Sequence, residues 1–323
     1  MKVIDFEAVK SAAEKMNPAV WCSWVDDALR HKSEFLCPPK PRMSQADGDY
    51  FNVMPALYTP ENVAMVKMIG RHANMGGFPR SVMMGDMLIY EADTGILKAL
   101  IDAEYITTLR TGAVAAHSAL LFGKKNFSTI GLLGLGNIMT VCFDTLLAEM
   151  EANGEKRHLT VKLFRHHSQE VRFARRFADV DNVDFVYCDT YADVFTGSDV
   201  IISAVTKATQ NFADDSCFNE GVTVIPICTM GFQNCDLFFD SVFTDEIEQI
   251  RGFKYFDRFS SHLSNVSDVL SGSAEGRVDE RERILVYNYG IAIHDLYFGM
   301  KLMKETDGKE VEYNFCKDKY FMG

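Results

Sequence analysis

One uncharged stretch near the middle of the chain most strongly constrains the fold. Residues 126–143 run for 18 positions without a formal charge, but glycine, Asn, Ser and Thr interrupt them, so they are too polar for a membrane-spanning helix. The stretch begins as a short apolar strand and passes through Gly134-Leu-Gly136-Asn137-Ile138-Met139. It then becomes a helical pattern that ends at Asn153-Gly154. A glycine-rich turn between a buried strand and a helix is typical of nucleotide-binding α/β domains.

Short apolar runs and helical patterns alternate after this turn. Four further strands are predicted, at residues 159–164, 183–188, 199–205 and 222–228. Between them, a helix is predicted at 168–178, and another begins after Thr190, whose side chain can form a capping box with Asp193. Such alternation predicts a parallel sheet that helices cover on both faces.

The chain before residue 123 follows a different pattern. Residues 1–60 look irregular, whereas strand-like runs at 81–90 and 96–101 flank the turn signal Asp93-Thr94-Gly95 and predict a β-hairpin. Asp102 can then cap a helix that runs to about Phe122.

Together these patterns predict an α/β fold with a Rossmann-type doubly wound parallel sheet. We expect this dinucleotide-binding domain to cover residues 123–295. A second, α+β domain is expected over residues 1–122. The C-terminal residues 296–323 should join it, because a helical pattern returns at 283–300.

The spacing Gly134-x-Gly136-x-x-Met139 matches a dinucleotide fingerprint in which methionine replaces the third glycine. The first glycine permits a tight turn, the second lets backbone N–H groups approach a pyrophosphate, and the helix N-terminus stabilises the phosphate charge. The alternative is a glycine turn that serves only tight packing. Nine cofactor contacts are predicted in the loops of this domain, at Gly134, Gly136, Asn137, Ile138, Arg165, His166, Ala204, Val205 and Thr206.

The type of dinucleotide should be readable at the end of the second strand of this domain. An acid there binds the ribose 2′-hydroxyl of NAD, whereas a cation suits the 2′-phosphate of NADP. The chain has Leu163-Phe164-Arg165-His166-His167 and no carboxylate at this point. NADP is therefore favoured over NAD, unless Arg165 is simply a solvated loop charge.

Composition excludes several classes of partner. Lys and Arg number 33 against 45 Asp and Glu, so the net charge is −12 and nucleic acid is not an expected partner. Neither the eight Cys nor the eight His show metal-ligand spacing, so no metal site is predicted. The N-terminal residues 1–10 contain no hydrophobic signal core, so a cytoplasmic protein without membrane contact is expected.

Several separated motifs then give the chain, from about Pro41 to Leu296, a resemblance to the ornithine cyclodeaminase/μ-crystallin family. They are Pro41-Arg42, Met54-Pro55-Ala56, Lys67 after an apolar run, Thr94-Gly95, Leu109-Arg110-Thr111-Gly112-Ala113, Gly276-Arg277 and Asn288-Tyr-Gly290-x-Ala-x-x-Asp295. The Arg-Thr-Gly-Ala motif at this distance before the glycine-rich turn is the most specific of them.

The resemblance implies a homodimer whose N-terminal part provides the dimer contacts and binds substrate. It implies that Arg42, Lys67 and Arg110 bind the α-carboxylate of a small substrate, that Lys67 transfers a proton, and that Thr111 contacts the cofactor. Elementary chemistry agrees, because a carboxylate beside a nicotinamide needs fixed cations and arginine offers a planar donor fork. Without the resemblance, Arg110 would be read as a helix charge that faces water.

The chain departs from the cyclodeaminases of that family in one loop. Those enzymes carry an Asp after the fifth strand, where this chain places Met230 or Phe232, and the nearest carboxylate is Asp236. The leading expectation is therefore an NAD(P)-dependent oxidoreductase that transfers hydride to or from the α-carbon of a small α-imino or α-amino acid. An ornithine cyclodeaminase is the first alternative, and a non-catalytic protein that binds a small ligand and NADPH is the second.

Overall fold

The computed structural model describes residues 1–45, 48–72, 83–208, 210–227, 238–253, 255–259, 262–314 and 321–322. Its chain divides into two units. The first comprises Met1–Lys15, Glu34–Ile106 and Asp295–Gly323, and the second comprises Met16–Ser33 and Thr107–His294. The chain passes between the units four times, at residues 15–16 and 33–34 and within the two helices Glu104–Phe122 and Ala292–Lys304.

The secondary-structure elements are numbered here in chain order. The strands are β1 Lys2–Ile4, β2 Phe35–Leu36, β3 Arg42–Ser44, β4 Tyr50–Tyr58, β5 Val63–Arg71, β6 Met83–Glu91, β7 Leu97–Asp102, β8 Thr129–Leu133, β9 Leu159–Phe164, β10 Val183–Cys188, β11 Val200–Ser203, β12 Thr223–Pro226, β13 Ser241–Thr244, β14 Leu263–Asn265, β15 Ile284–Tyr287 and β16 Lys309–Glu310. The α-helices are α1 Phe6–Ala13, α2 Ala19–Arg30, α3 Glu104–Phe122, α4 Asn137–Ala152, α5 Gln169–Arg176, α6 Tyr191–Phe195, α7 Ile247–Ile250, α8 Phe256–Phe259, α9 Val266–Leu270 and α10 Ala292–Lys304.

The first unit is built on one mixed sheet. Its described strands follow the order β16-β1-β7-β6-β5-β4-β2, and β3 also pairs with β4. Strands β4 to β7 form an antiparallel meander, which confirms the predicted hairpin as β6 and β7. Alternate residues of β5, including Met65 and Ile69, are buried, so one face of this sheet contributes to the core.

The second unit is built on a parallel sheet in the order β10-β9-β8-β11-β12-β15-β13-β14. Strands β11, β12 and β15 are buried at every residue, as expected where helices cover both faces of a sheet. Strands β9 and β10 match their predicted bounds, and Thr190 and Asp193 form the predicted capping box of α6. The predicted Rossmann-type α/β fold is therefore present.

Two sequence predictions about secondary structure were wrong. Residues 283–300 begin with strand β15 and become helical only at Ala292, because a short strand buried on both faces lacks the alternation that marks a strand. Residues 1–60 are not irregular, since they contain α1 and α2. Asp5 caps α1 by accepting a hydrogen bond from the backbone N–H of Ala8 at 3.0 Å, and α2 buries Trp21 and Trp24.

The boundary between the units also differs from the predicted one at residue 122. Helix α2 and residues 107–122 of α3 belong to the second unit, because α2 packs on α4 and α9. The C-terminal end of α3 is fixed there by hydrogen bonds. The backbone carbonyl of Phe122 accepts from Thr223 Oγ1 at 2.8 Å and from Arg277 Nε at 2.9 Å. At its other end, Asp102 caps α3 as predicted.

Arg277 joins three segments of the second unit through one guanidinium group. Besides Phe122 O, it donates to Gly221 O at 3.1 Å, Thr223 Oγ1 at 2.8 Å, Asp279 O at 3.1 Å and Glu282 O at 2.7 Å. Because five fixed N–H donors of arginine satisfy these acceptors, no other side chain can make the same set of bonds.

We expect Arg277→Lys to lower the free energy of unfolding by about 3 kcal/mol, because a single ammonium leaves buried carbonyl groups without donors. Urea unfolding followed by circular dichroism measures this change. Arg281→Lys is the matched control, since that side chain is 75% exposed and pairs with Glu220, which is itself 53% exposed. Equal free energies of unfolding for Arg277→Lys and Arg281→Lys would contradict the role of Arg277 in joining these segments.

Candidate dinucleotide and substrate sites

The loop between β8 and α4 has the geometry of a dinucleotide cradle. Gly134 has a φ of +76°, and a Cβ atom there would lie 2.6 Å from the carbonyl carbon of Ala204 and 2.9 Å from the nitrogen of Val205. Ala204 also donates its backbone N–H to Leu133 O at 2.8 Å. The structure therefore brings the glycine-rich loop together with the predicted segment 204–206, and only glycine fits at position 134.

Gly136, unlike Gly134, has open space beside its backbone. Its φ is −91°, it forms the N-cap of α4, and a Cβ atom built on it has no atom within 4 Å. Asn137 and Ile138 begin the helix directly behind it, and Met139 is fully buried. The N-terminus of a 16-residue helix therefore presents exposed backbone beside open space, which is what a pyrophosphate requires.

Arg165 and His166 follow β9, which pairs in parallel with β8. Arg165 is exposed and its Nη1 lies 3.3 Å from Asp189 Oδ1. His166 donates its backbone N–H to Glu170 Oε2 at 3.1 Å, so this buried carboxylate is engaged with the main chain. The side chains that follow β9 in sequence are those of Arg165, His166 and His167, and no carboxylate stands among them.

The predicted cofactor residues thus lie at the carboxyl ends of the adjacent parallel strands β9, β8 and β11. Ligands of open parallel sheets bind at this edge. Thr111 is the exception. It lies on α3, is 8% exposed, and donates its hydroxyl to Thr107 O at 2.5 Å within the same helix.

Lys67 forms a buried ion pair in the first unit. Its Nζ lies 2.7 Å from Asp295 Oδ1, and both side chains are 0% exposed. Lys67 is on β5, and Asp295 is in the first turn of α10, 228 residues later. In the strand register, Lys67 lies opposite Met54 of β4 and Met87 of β6. Because both side chains are apolar, the Lys67–Asp295 ion pair has neighbours of low polarity on both sides in the sheet.

Arg42 shares a sheet face with Lys67. It pairs with Asn52 of β4, and Lys67 pairs with Met54, two residues further along the same strand. Because directly paired residues and residues two apart point to one face, both cations lie on that face, roughly 10 Å apart in the pairing direction. Arg42 is exposed, and its guanidinium lies 3.7 Å from the centre of the Tyr50 ring.

Arg110 lies on α3 in the second unit and is 7% exposed. Its guanidinium lies against Gly290, and the buried carboxylate of Asp245 accepts a hydrogen bond from the Gly290 backbone at 2.8 Å. Asp245 and Asp295 received no role from sequence reasoning. Asp295 stood at the end of a family motif, but Asp245 carried no local signal, because its partners lie 43 and 45 residues away.

The loop that should carry the cyclodeaminase acid lies outside the described residues. Residues 228–237 include Met230, Phe232 and Asp236, so the prediction that this acid is missing remains a prediction. Among the described ranges, no helix is both long and apolar enough to cross a bilayer.

The chain is similar to known proteins over most of its length. The model of the ornithine cyclodeaminase/mu-crystallin family matches residues 4–307. The nodulation efficiency protein NfeD of Rhizobium meliloti is 24% identical over 274 residues, which cover 82% of each chain.

Two solved structures have the same fold at low sequence identity. An archaeal alanine dehydrogenase dimer with bound NAD has a TM-score of 0.82 and 19% identity, and the match covers 97% of this chain and 99% of that one. The Thermococcus litoralis Δ1-pyrroline-2-carboxylate reductase, in complex with NADH and L-proline, has a TM-score of 0.83 and 15% identity, covering 96% and 100% of the two chains. At this identity the likeness concerns the fold, whereas the family match extends over nearly the whole sequence. The chain belongs to the ornithine cyclodeaminase/mu-crystallin family.

Proposed function

We propose that the protein is an NAD(P)-dependent oxidoreductase that transfers hydride to or from the α-carbon of a small α-imino or α-amino acid. The observation that carries the proposal is the open space at Gly136, at the N-terminus of α4 and the carboxyl edge of a parallel sheet. The names of the two structural neighbours, an alanine dehydrogenase with NAD and a reductase with NADH and L-proline, support the same class of reaction.

The proposed chemistry divides between the cofactor and the protein. A bound reduced nicotinamide supplies the hydride, and the backbone at Gly134, Gly136 and Asn137 would hold its pyrophosphate. Arg42 and Arg110 bind the α-carboxylate of the substrate as hydrogen-bond donors. Lys67 gives the proton that the imine nitrogen takes up as its carbon accepts the hydride, so that the product is an amine and Lys67 is left neutral.

Imine reduction is the proposed direction, and the experiment follows from it. The purified protein should oxidise NADPH when it is given pyruvate with an amine, or a cyclic imino acid such as Δ1-pyrroline-2-carboxylate. Release of ammonia from ornithine without net change in the cofactor would instead identify a cyclodeaminase. Binding of NADPH without turnover of any of these compounds would overturn the enzymatic proposal and favour the small-ligand-binding alternative.

NADP is the proposed cofactor because Arg165 and His166 follow β9, and the nearby acid Glu170 binds the main chain of His166. We expect Arg165→Ser to weaken NADPH binding by about tenfold to a hundredfold, since a charge-assisted hydrogen bond contributes about 1.5–3 kcal/mol. NADH binding should not change. Fluorescence titration with both cofactors measures the ratio, and Arg175→Ser, an exposed change on α5, is the control. An unchanged ratio would show that the proposed preference is wrong.

A homodimer is proposed on the family resemblance, and the archaeal alanine dehydrogenase is a dimer. Sedimentation analysis of the purified protein tests this. A mass near 36.4 kDa at micromolar concentration would contradict it, because that is the mass of one chain.

A further inference from the structure

Three residues at the carboxyl edge of the parallel sheet form a second cluster, away from the strands that carry the cofactor loops. Asp245 directly follows β13, and Asn288 and Gly290 follow β15. The register pairs Thr244 with Tyr287, so Asp245 and Asn288 leave the sheet side by side. Asn288 Nδ2 donates to Asp245 Oδ1 at 3.2 Å, and the Gly290 N–H donates to Oδ2 at 2.8 Å. Both carboxylate oxygens therefore hold the segment 288–290.

Gly290 is the point at which this segment meets Arg110. Its φ is +73°, and a Cβ atom there would lie 2.2 Å from Arg110 Nη1 and 3.0 Å from Cζ. The guanidinium therefore packs directly on the Gly290 backbone, in space that any side chain would occupy. Glycine is needed both for this contact and for the left-handed backbone.

The charges around Asp245 match this arrangement. Asp245 is 1% exposed, and burial holds the pKa of its carboxyl group above its usual range, although the Gly290 N–H, the charges of Lys32 and Arg110, and Asn288 oppose this shift. Lys32 donates to the backbone carbonyl of Asp245 at 2.8 Å and pairs with Glu246 at 3.0 Å. The charges of Lys32 and Arg110 oppose this effect of burial, and the field of the ionised carboxylate attracts the guanidinium of Arg110.

We propose that Asp245, Asn288 and Gly290 form a seat that fixes the guanidinium plane of Arg110 for a ligand carboxylate. This proposal rests on the proposed function, because Arg110 is there a carboxylate-binding residue. Asp245 acts as a positioning residue. It fixes the 288–290 segment by two hydrogen bonds, and that segment determines where the Arg110 donors point. A carboxylate-bearing ligand therefore gains affinity from a donor fork whose orientation is set before binding.

The test compares two glycines that have the same backbone conformation. Gly290→Ala places a methyl group against Arg110, whereas Gly272→Ala has a φ of +76° and no atom within 4 Å of the new methyl. Both variants should lower the melting temperature through backbone strain. Gly290→Ala and Asp245→Asn, each as a single variant, should raise the KM for Δ1-pyrroline-2-carboxylate about tenfold or more. Gly272→Ala should leave this KM unchanged. The kcat and the affinity for NADPH should change less than about threefold.

Two results would overturn the proposal. One is an unchanged KM in folded Gly290→Ala and Asp245→Asn, and the other is an equal rise in Gly272→Ala. If the wild-type protein reduces none of the substrates, the proposed function fails, and the seat is then tested without substrate. Asp245→Asn and Arg110→Met should shift the melting temperature non-additively when combined, because coupled residues share one interaction. Additive shifts would show that Asp245 does not position Arg110.

Discussion

Replacing Asp295 by asparagine is expected to lower the free energy of unfolding by about 3–5 kcal/mol. The change leaves Lys67 buried without the carboxylate that lies 2.7 Å from its Nζ, and an uncompensated buried charge has a cost of this size. Guanidinium unfolding at pH 7 measures the loss. The matched control is Glu61→Gln, since Glu61 pairs with Lys304 of α10 in the same unit while half-exposed, and exposed pairs contribute about 0–1 kcal/mol.

The paired variant Lys67→Met with Asp295→Val separates stability from activity. Two apolar side chains of similar volume can replace a buried ion pair at no loss of stability, so this variant should unfold at a free energy near that of the wild type. Its imine reduction should fall by at least about a hundredfold, because it has no proton donor at position 67. A paired variant that retains activity would show that Lys67 and Asp295 serve the fold alone.

The variant Lys67→Arg then distinguishes between the two roles proposed for this lysine. Arginine keeps the charge and can pair with Asp295, but it does not release a proton at neutral pH. If Lys67 protonates the substrate nitrogen, kcat should fall by about a hundredfold while KM changes less than about threefold. If Lys67 only binds the carboxylate, arginine should serve as well as lysine, and kcat should be retained.

Gly136→Ala is expected to remove most of the affinity for the dinucleotide, by tenfold or more, and to leave the fold intact. The new methyl group meets no protein atom within 4 Å, and a φ of −91° suits alanine, so the helix N-cap should lose at most about 1 kcal/mol. The methyl group instead occupies the space that the pyrophosphate must enter to approach the backbone. Calorimetric titration with NADPH and NADH gives the affinities.

Two other glycine variants make this result interpretable. Gly252→Ala, also without an atom within 4 Å of its new methyl, should change neither stability nor cofactor affinity. Gly134→Ala should instead destabilise the protein, because its methyl would overlap the backbone of Ala204 in a left-handed conformation. Full cofactor affinity in Gly136→Ala would show that the glycine-rich turn serves packing only.

The glycine-rich turn between a strand and a helix could be predicted from the sequence because its determinants are local. Strand β8, the two glycines and the start of α4 lie within ten residues, and each local preference points to the same structure. The strand bounds of β9 and β10 were predictable for the same reason. By contrast, β15 was misread as helix, because four consecutive apolar residues fit either element until their neighbours in the sheet are known.

The partners of the proposed substrate residues could not be predicted in this way. The motifs singled out Arg42, Lys67 and Arg110, but no periodicity connects Lys67 to a carboxylate 228 residues later. The common face of Arg42 and Lys67 depends on the register of both strands with β4, and a shift of one residue would place them on opposite faces.

The sequence by itself therefore determined the family, the parallel α/β sheet and the place of the glycine-rich loop between β8 and α4. Only the tertiary structure decided that Lys67 is buried with Asp295, and that Arg110 packs on Gly290 beside Asp245. The physical reason is that turns and helix starts follow from backbone preferences of neighbouring residues. A buried charge, in contrast, requires a partner that only long-range packing can bring to it.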